Sequence, residues 1–456
     1  MIFTSRFNSL AGVALWAVAV PALAQTAAES AAQADAAAES EMITITGTRI
    51  KGNFEAPTPV QALGAELIDQ RGTTNVANVI NEIPAFTGTL PPASTNLNSR
   101  QNGVNVVDLR GLGTNRNLVL VNSRRSTPFD EFENVDLNVV PSLAIERVEV
   151  VTGGASAAYG SDAVSGVINL IYNERLDELK LNAQYGISDR GDAENLRLSA
   201  AWGGFFNEGR GHILLAADYD DNKGIPKADA RKWQRRSPAI VTNPLNTGPN
   251  DGIPQYVFRD NAVLFIGSPN GVTLPLGLPT DNLEFFPDGT ARPRELGEIG
   301  GNLMIGGSGS RLADQTALFV PTERFNVLAA ASYEVADGVQ LFGEASFARS
   351  KSRGALVNAF TFGEVVITPD NPYLPADVAA LDAPVVLFRT FEEFDPITSA
   401  SLTESMRFVG GLKGEFGSNW SWEISAQYGQ TDFSNKQYNN MLVGNLIRAA
   451  DAVDVG

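Results

Sequence analysis

Side chains that could carry out chemistry are scarce in this chain. It contains no cysteine and a single histidine, His212. A Ser-His-Asp triad would have to use that one imidazole, and the usual zinc sites are built from cysteine and histidine. An acidic run that begins at Asp218 resembles the start of a calcium loop, but Lys223 stands where such a loop needs glycine. We therefore expect neither an enzyme nor a bound metal.

Two glycine-containing segments invite a nucleotide-binding interpretation. Gly111 and Gly113 have the spacing of a dinucleotide fingerprint, but Arg116 takes the place of its third glycine. Gly153 and Gly154 lack the Lys-Ser/Thr pair of a phosphate-binding loop. No cofactor is expected. These glycines and two others are interpreted as residues of turns or close packing: Gly111, Gly113, Gly153, Gly154, Gly160 and Gly166.

Length and charge limit the class of protein further. The 456 residues exceed one ordinary domain, and 52 acidic against 34 basic residues give a net charge of −18. Because nucleic-acid binding needs clustered cations, this charge argues against a nucleic-acid partner. The mean hydropathy is close to zero, which suits transmembrane strands because they alternate apolar and polar residues.

The N-terminus has the pattern of an export signal. Arg6 precedes an apolar run at residues 10–20, and an Ala-Leu-Ala cleavage site ends at Ala24, so residues 1–24 are predicted to be a signal peptide. A membrane anchor is the alternative, although the run is short for a span. Residues 25–40, rich in Ala, Glu, Ser and Gln, are predicted to be a flexible periplasmic linker.

A β-prone segment follows the linker at residues 41–50. A segment of this kind after a flexible linker offers unpaired backbone to a partner that adds a strand. Its centre consists of Ile43, Thr44, Ile45 and Thr46. The alternative is that the segment is simply the first strand of the next domain.

Residues 51–172 have the mixed pattern of a small α+β domain. Short helices are predicted at residues 64–72 and 74–83, the second with apolar residues on one face. Residues 109–122 contain LRGLGTNR followed by LVLVN. Residues 145–171 predict a strand, a tight turn of small residues and a second strand, with the motifs IERVEV, GxASxxYG and GVIN.

These ordered motifs resemble the plug domain of TonB-dependent outer-membrane receptors, with Ser123 where the family usually has glycine. The resemblance implies that residues 41–50 form a TonB box region. It also implies that TonB, driven by its inner-membrane energising complex, binds Ile43, Thr44, Ile45 and Thr46.

A plug that sits inside a barrel and yet moves should touch the barrel wall through polar contacts, and buried charges persist only when they are paired. Seven charged residues could supply these contacts, among them Arg124 and Arg125; for each, an ordinary surface charge is the alternative. The five that lie in or beside strand and turn motifs are the candidate plug–barrel polar contacts: Arg110, Arg116, Glu146, Arg147 and Glu149.

From residue 173 to residue 456 the pattern changes to period-2 strands with one apolar face, as in a lipid-facing sheet. Short turns alternate with long connections at residues 223–322 and 350–403. A soluble β-sandwich is the alternative. Barrels that hold a plug have on the order of 22 strands, so we expect an incomplete barrel, the N-terminal part of a longer receptor. Seven strands are predicted: 179–187, 196–206, 213–219, 325–335, 339–347, 408–416 and 420–428.

The expected fold is thus an α+β plug domain followed by antiparallel transmembrane β-barrel strands, located in the outer membrane of a Gram-negative cell. The expected function is TonB-dependent uptake of a scarce nutrient, with iron chelates, vitamins, oligosaccharides and peptides all open. A passive porin or a surface adhesin is the alternative. The basic run at residues 231–236 is a candidate contact for an anionic ligand or for lipopolysaccharide phosphates, with a solvated loop as the alternative.

Overall fold

The computed structural model describes residues 59–70, 76–87, 103–153, 155–311, 316–417 and 420–452. The predicted signal peptide, the linker, the TonB box residues Ile43, Thr44, Ile45 and Thr46, and Gly154 lie outside these ranges. The boundary predicted near residue 172 coincides with the end of a strand at Tyr172.

The N-terminal part forms a small α+β domain, here called the plug. Its main sheet has the strand order β1-β6-β7-β4-β5, in which β4 and β7 run parallel and the other neighbours are antiparallel. Its strands are β1 Val60–Gly64, β2 Phe86–Thr87, β3 Asp108–Leu109, β4 Asn117–Val121, β5 Arg124–Arg125, β6 Ile145–Val151 and β7 Gly166–Tyr172, and its helices are α1 Ala65–Gln70, α2 Val76–Ile80 and α3 Ser156–Tyr159.

The second helix of the plug is shorter than the sequence predicts. It ends at Ile80, and the chain continues in tighter turns that bring it to Pro84: the Glu82 N–H donates to the Val79 carbonyl and the Ile83 N–H to the Ile80 carbonyl. The predicted apolar face is buried nonetheless, because Val76, Val79 and Ile80 all enter the core.

The second part is an open antiparallel sheet, here called the barrel sheet, of seven strands in the order β23-β22-β19-β18-β10-β9-β8. The expected fold class, a plug followed by antiparallel strands of an incomplete barrel, is confirmed. The strands from here to the C-terminus are β8 Leu179–Gly186, β9 Asn195–Phe206, β10 Gly211–Asn222, β11 Ala239–Thr242, β12 Tyr256–Arg259, β13 Ala262–Leu264, β14 Leu283–Phe285, β15 Ala291–Pro293, β16 Leu296–Gly300, β17 Leu303–Gly307, β18 Thr322–Ala336, β19 Val339–Val357, β20 Val365–Ile367, β21 Val385–Leu387, β22 Ile397–Phe416 and β23 Trp420–Tyr438, and two helices are α4 Ala376–Ala379 and α5 Val443–Ala450.

Strands β19 and β22 contain 19 and 20 residues, about twice the predicted length. Towards the long connections their outward positions carry charges instead of apolar side chains, such as Arg349 paired with Glu404 and Lys351 paired with Glu323. The apolar alternation that marks a lipid-facing strand therefore ends before the backbone pairing does.

The two long connections contain small sheets of their own, made by β11–β17 and by β20–β21. They touch each other through a bridge between Val272 and Phe388, which are both buried in one apolar cluster. No helix within the described ranges has the length and apolarity needed to cross a membrane.

The plug packs on one face of the barrel sheet. Its hydrophobic core, which includes Ile80 and Tyr172, continues without interruption into Ala201, Leu214 and Leu328 of the barrel strands. Side chains such as Trp202 and Leu215 are exposed on the opposite face. Apolar residues therefore alternate with residues that face the plug, and this alternation positions the polar site described next.

Candidate functional site between plug and barrel sheet

Of the five predicted polar contacts, three pair with one another within the plug and two have exposed side chains. Arg147 pairs with Glu146 at 3.1 Å and with Glu149 at 2.8 Å, all three on strand β6 of the plug. Arg110 and Arg116 have exposed side chains, while their backbones hold the plug together. Arg147 thus has a partner on its own strand, because Glu149, two residues further on, lies on the same face of β6.

The predicted turn glycines lie in the plug. Gly111, Gly113, Gly160 and Gly166 have φ of 67°, 109°, 91° and 152°, in the region that disfavours other residues. At Gly166 a Cβ atom would lie 2.1 Å from the Val151 carbonyl oxygen, so β7 could not approach β6 with any larger residue there. Gly153 lies in a bend after β6.

One set of polar contacts joins the plug to the barrel sheet near the short turns. Arg124 of β5 donates to Glu344 of β19 at 2.9 Å and to Glu423 of β23 at 2.8 Å. Glu344 also accepts from Arg407 of β22 at 2.9 Å, and the Arg407 guanidinium reaches the Val121 carbonyl of the plug at 3.3 Å. We call these four charged residues the Arg124 cluster: Arg124, Glu344, Arg407 and Glu423.

A second set lies near the strand ends that carry the long connections. We call it the Arg324 cluster: Asn138, Ser142, Arg197, Asp218, Asp220 and Arg324. Arg324 of β18 pairs with Asp220 of β10 at 2.8 Å and also donates to the Asn138 Oδ1 atom of the plug.

Ser142 of the plug completes the Arg324 cluster. Its backbone N–H and its hydroxyl donate to the same carboxylate oxygen of Asp218, at 2.7 and 3.0 Å. Arg197 of β9 donates to the Ser142 hydroxyl. A plug serine is therefore held between a cation and an anion of the barrel sheet.

A buried acid of the plug lies beside this cluster. Asp136 accepts the backbone N–H groups of Asn105 and Asn138, at 2.9 and 3.0 Å. Burial raises the pKa of the Asp136 carboxyl from its ordinary value of 3.8 to about 6, although the two N–H donors and the Arg324 charge oppose the shift.

Sequence reasoning identified Arg124 but missed its partners and the whole Arg324 cluster. The missed charges are Arg197, Asp218, Asp220, Arg324, Glu344 and Arg407. All occupy inward positions of barrel strands, where period-2 alternation places residues that face the plug. A charge at an inward position was the available signal, but Asp220, Arg324 and Arg407 each lie one residue outside the predicted strand bounds.

Part of the chain matches a known protein family. Residues 53–167 match the family model described as the TonB-dependent Receptor Plug Domain. The iron-regulated outer membrane virulence protein of Vibrio cholerae serotype O1 is 30% identical over 28% of this chain and 19% of its own length. A probable TonB-dependent siderophore receptor, PirA of Acinetobacter baumannii, is 32% identical over 29% of this chain and 19% of its own length.

Among solved structures, the siderophore receptor PirA from Acinetobacter baumannii aligns with 82% of this chain and 44% of its own, at 14% identity and a TM-score of 0.40. The chain spans less than half of the solved receptors and a fifth or less of the curated relatives that it matches.

Fold and site together define a small α+β domain seated on an open antiparallel sheet. The family match names that plug, and the predicted resemblance to TonB-dependent receptors is confirmed. Residues 53–167 are a TonB-dependent receptor plug domain.

Proposed function

We propose that this chain belongs to a TonB-dependent transporter that imports a scarce nutrient across the outer membrane. The observation that carries the proposal is the position of the plug on the barrel sheet. A domain that matches the plug family packs on this sheet, and paired charges lie between the two in the Arg124 cluster and in the Arg324 cluster. Such contacts keep a pathway closed and can still be exchanged, because each polar group can pair with water once the plug moves.

In the proposed cycle a ligand binds at the long connections, and TonB pairs with the backbone of residues 43–46 as an added strand. Pulling on that segment displaces part of the plug and breaks its contacts with the barrel sheet. The energy comes from the proton gradient of the inner membrane through the TonB complex, and the lipid-facing side chains of the sheet lie in the outer membrane.

We infer that the nutrient is an iron chelate. The printed names of the relatives support this class: one is iron-regulated and another is a probable siderophore receptor. Their similarity covers 28% and 29% of this chain, so it supports the class of nutrient and not a particular chelate.

The decisive experiment deletes residues 41–46 and measures binding and uptake of a radiolabelled ferric siderophore in cells. We expect uptake to be abolished and binding to be unchanged, because the deletion removes the TonB contact and leaves the plug in place. Unchanged uptake would refute the proposal. A matched control removes six residues of the linker within residues 25–40 and should leave uptake unaffected.

A passive porin or an adhesin is separated from this proposal by energy dependence. Collapsing the proton gradient with an uncoupler should stop uptake in the proposed mechanism, whereas diffusion through a porin would continue. The plug that covers the inner face of the barrel sheet disfavours passive diffusion, since its core is continuous with the barrel strands.

A further inference from the structure

The Arg324 cluster contains three buried polar atoms whose hydrogen-bonding needs are unmet by any of the described residues: Asn138 Nδ2, Asp218 Oδ1 and Asp220 Oδ2. Asn138 belongs to the plug, and the two aspartates belong to strand β10. Asn138 and Asp220 are more than nine-tenths buried, with 7% and 4% of their surfaces exposed. Buried polar atoms almost always have a partner.

The three residues line a single cavity between plug and barrel sheet, with a volume of about 20 Å³. A cavity needs roughly 10–15 Å³ of such volume to hold one water molecule, which also needs two to four polar partners. The space therefore fits one water molecule.

The orientation of the Asn138 amide decides which ligand suits the cavity. Its Oδ1 atom accepts from Arg324, which has only donors, and from the Asn105 side chain at 2.6 Å. The Nδ2 group is therefore a donor, and of its two hydrogens at least one is left over beside the contact with Asp136.

We propose that this cavity binds one structural water molecule that accepts from Asn138 and donates to Asp218 and Asp220. One donor and two acceptors on the protein match the one acceptance and two donations of a single water. A cation fits less well, since the amide N–H groups would point at it and Arg197 and Arg324 already balance both carboxylates.

A second cavity, near Arg124, provides a comparison. It is larger, about 30 Å³, but among its described lining residues none has a buried side-chain atom without a partner. Space alone thus does not define the water site. The unmet atoms define it, and three of them line the Arg324 cavity. Three others, on Thr127, Tyr172 and Arg407, line a smaller cavity of about 10 Å³, at the lower limit for one water molecule.

The bound water has a consequence that rests on the proposed function. It ties the plug to β10 through a molecule that can stay behind when the plug moves. Asp218 would then keep the water and Arg197 when its contact with Ser142 breaks, and Asp220 would keep the water and Arg324.

The direct test is a high-resolution crystal structure of the purified protein, with a parallel soak in thallium(I), a monovalent cation with a strong anomalous signal. We expect one peak within hydrogen-bonding distance of all three atoms and no anomalous signal there. A thallium peak would overturn the proposal, and so would a direct hydrogen bond from Asn138 to either aspartate with the cavity closed. None of these outcomes depends on uptake, so failure here is distinct from failure of the transport proposal.

A pair of variants tests the same site in solution. Val76 of helix α2 lines the cavity, whereas Val79 of the same helix is buried away from it. Val76→Ile adds a methyl group that would displace the water and leave the polar atoms unpaired. Its thermal midpoint should therefore fall at least as far as that of the Val79→Ile control. A smaller loss than the control, or a gain, would show a dry cavity and overturn the proposal.

Discussion

The Arg124 and Arg324 clusters both join the plug to the barrel sheet by placing an arginine beside barrel carboxylates, but they differ in burial. In the Arg324–Asp220 pair, both side chains are about 6–7% exposed. In the Arg124 cluster the Arg407–Glu344 pair is just as buried, at 6% and 5%, but Arg124 is 15% exposed and its partner Glu423 is 42% exposed. Exposed pairs contribute roughly 0–1 kcal/mol, whereas breaking a buried pair costs about 3–5 kcal/mol. Breaking the Arg324–Asp220 pair should therefore cost more than breaking the Arg124–Glu423 pair, which runs from the plug to the barrel sheet near the short turns.

The largest effect is expected at Arg324. Arg324→Met would leave Asp220 buried without its cation and should lower the free energy of unfolding by about 3–5 kcal/mol. Denaturant unfolding of the purified protein in detergent measures this difference in the free energy of unfolding. Adding Asp220→Asn to that variant removes the stranded charge and should recover part of the loss. A loss below 1 kcal/mol would show that the two clusters do not differ as described.

The next largest effect is the pH dependence of stability that arises from Asp136, beside the Arg324 cluster. The pKa of Asp136 is about 6 in the folded protein and 3.8 ordinarily. The folded state therefore favours the protonated acid, and the stability that this supplies is lost as pH rises from about 4 through 6. From this pKa shift we expect the free energy of unfolding to fall by roughly 2–4 kcal/mol between about pH 4 and pH 6.

Asp136→Asn should remove this fall, because the amide stays neutral and its oxygen can still accept from Asn105 and Asn138. Unfolding of both proteins at several pH values between 4 and 8 provides the measurement. Parallel curves for the two proteins would contradict the account.

Glu344→Gln tests the buried member of the Arg124 cluster. The variant keeps the shape of the side chain but removes the charge shared by Arg124 and Arg407. We expect a loss of about 1.5–3 kcal/mol, the range for hydrogen bonds to charged groups. A loss within the roughly 0–1 kcal/mol of an exposed pair would contradict this expectation.

The smallest effect is expected at the exposed carboxylate. Glu423→Gln should cost roughly 0.2–1 kcal/mol, and the difference from wild type should shrink as salt is raised to 1 M. Lys351→Met, which breaks an exposed pair with Glu323 away from the plug, serves as the matched control. A salt-independent loss at Glu423 would mean that this pair is shielded from solvent.

The fold could be predicted further than the site. Motif order predicted the plug, and period-2 alternation predicted seven barrel strands, because both signals are local. The site depends on contacts between distant segments: Arg124 and Glu344 are 220 residues apart in sequence. The sequence around Arg124 does not indicate which strand lies opposite it, so its partner follows only from the register of the barrel sheet.

Arg147, in contrast, has local partners. Its motif position suggested a contact with the barrel, yet Glu146 and Glu149 on its own strand satisfy it. Asp218 and Asp220 show the converse. Their spacing suggested a failed calcium loop, whereas their inward positions on β10 give them partners on the plug and on the barrel sheet.

A reversible lock between plug and barrel sheet tests the central claim, that uptake requires the plug to move. Thr127 of the plug faces Gly429 of β23, and a Cβ atom at Gly429 would lie 3.4 Å from that of Thr127, close to the spacing in disulfides. The protein has no other cysteine, so Thr127→Cys with Gly429→Cys would form a unique crosslink. Uptake of ferric siderophore is then measured in cells before and after reduction, with each single variant as control. We predict that the oxidised lock blocks uptake but not binding, and that reduction restores uptake. Full uptake through the locked protein would contradict the account.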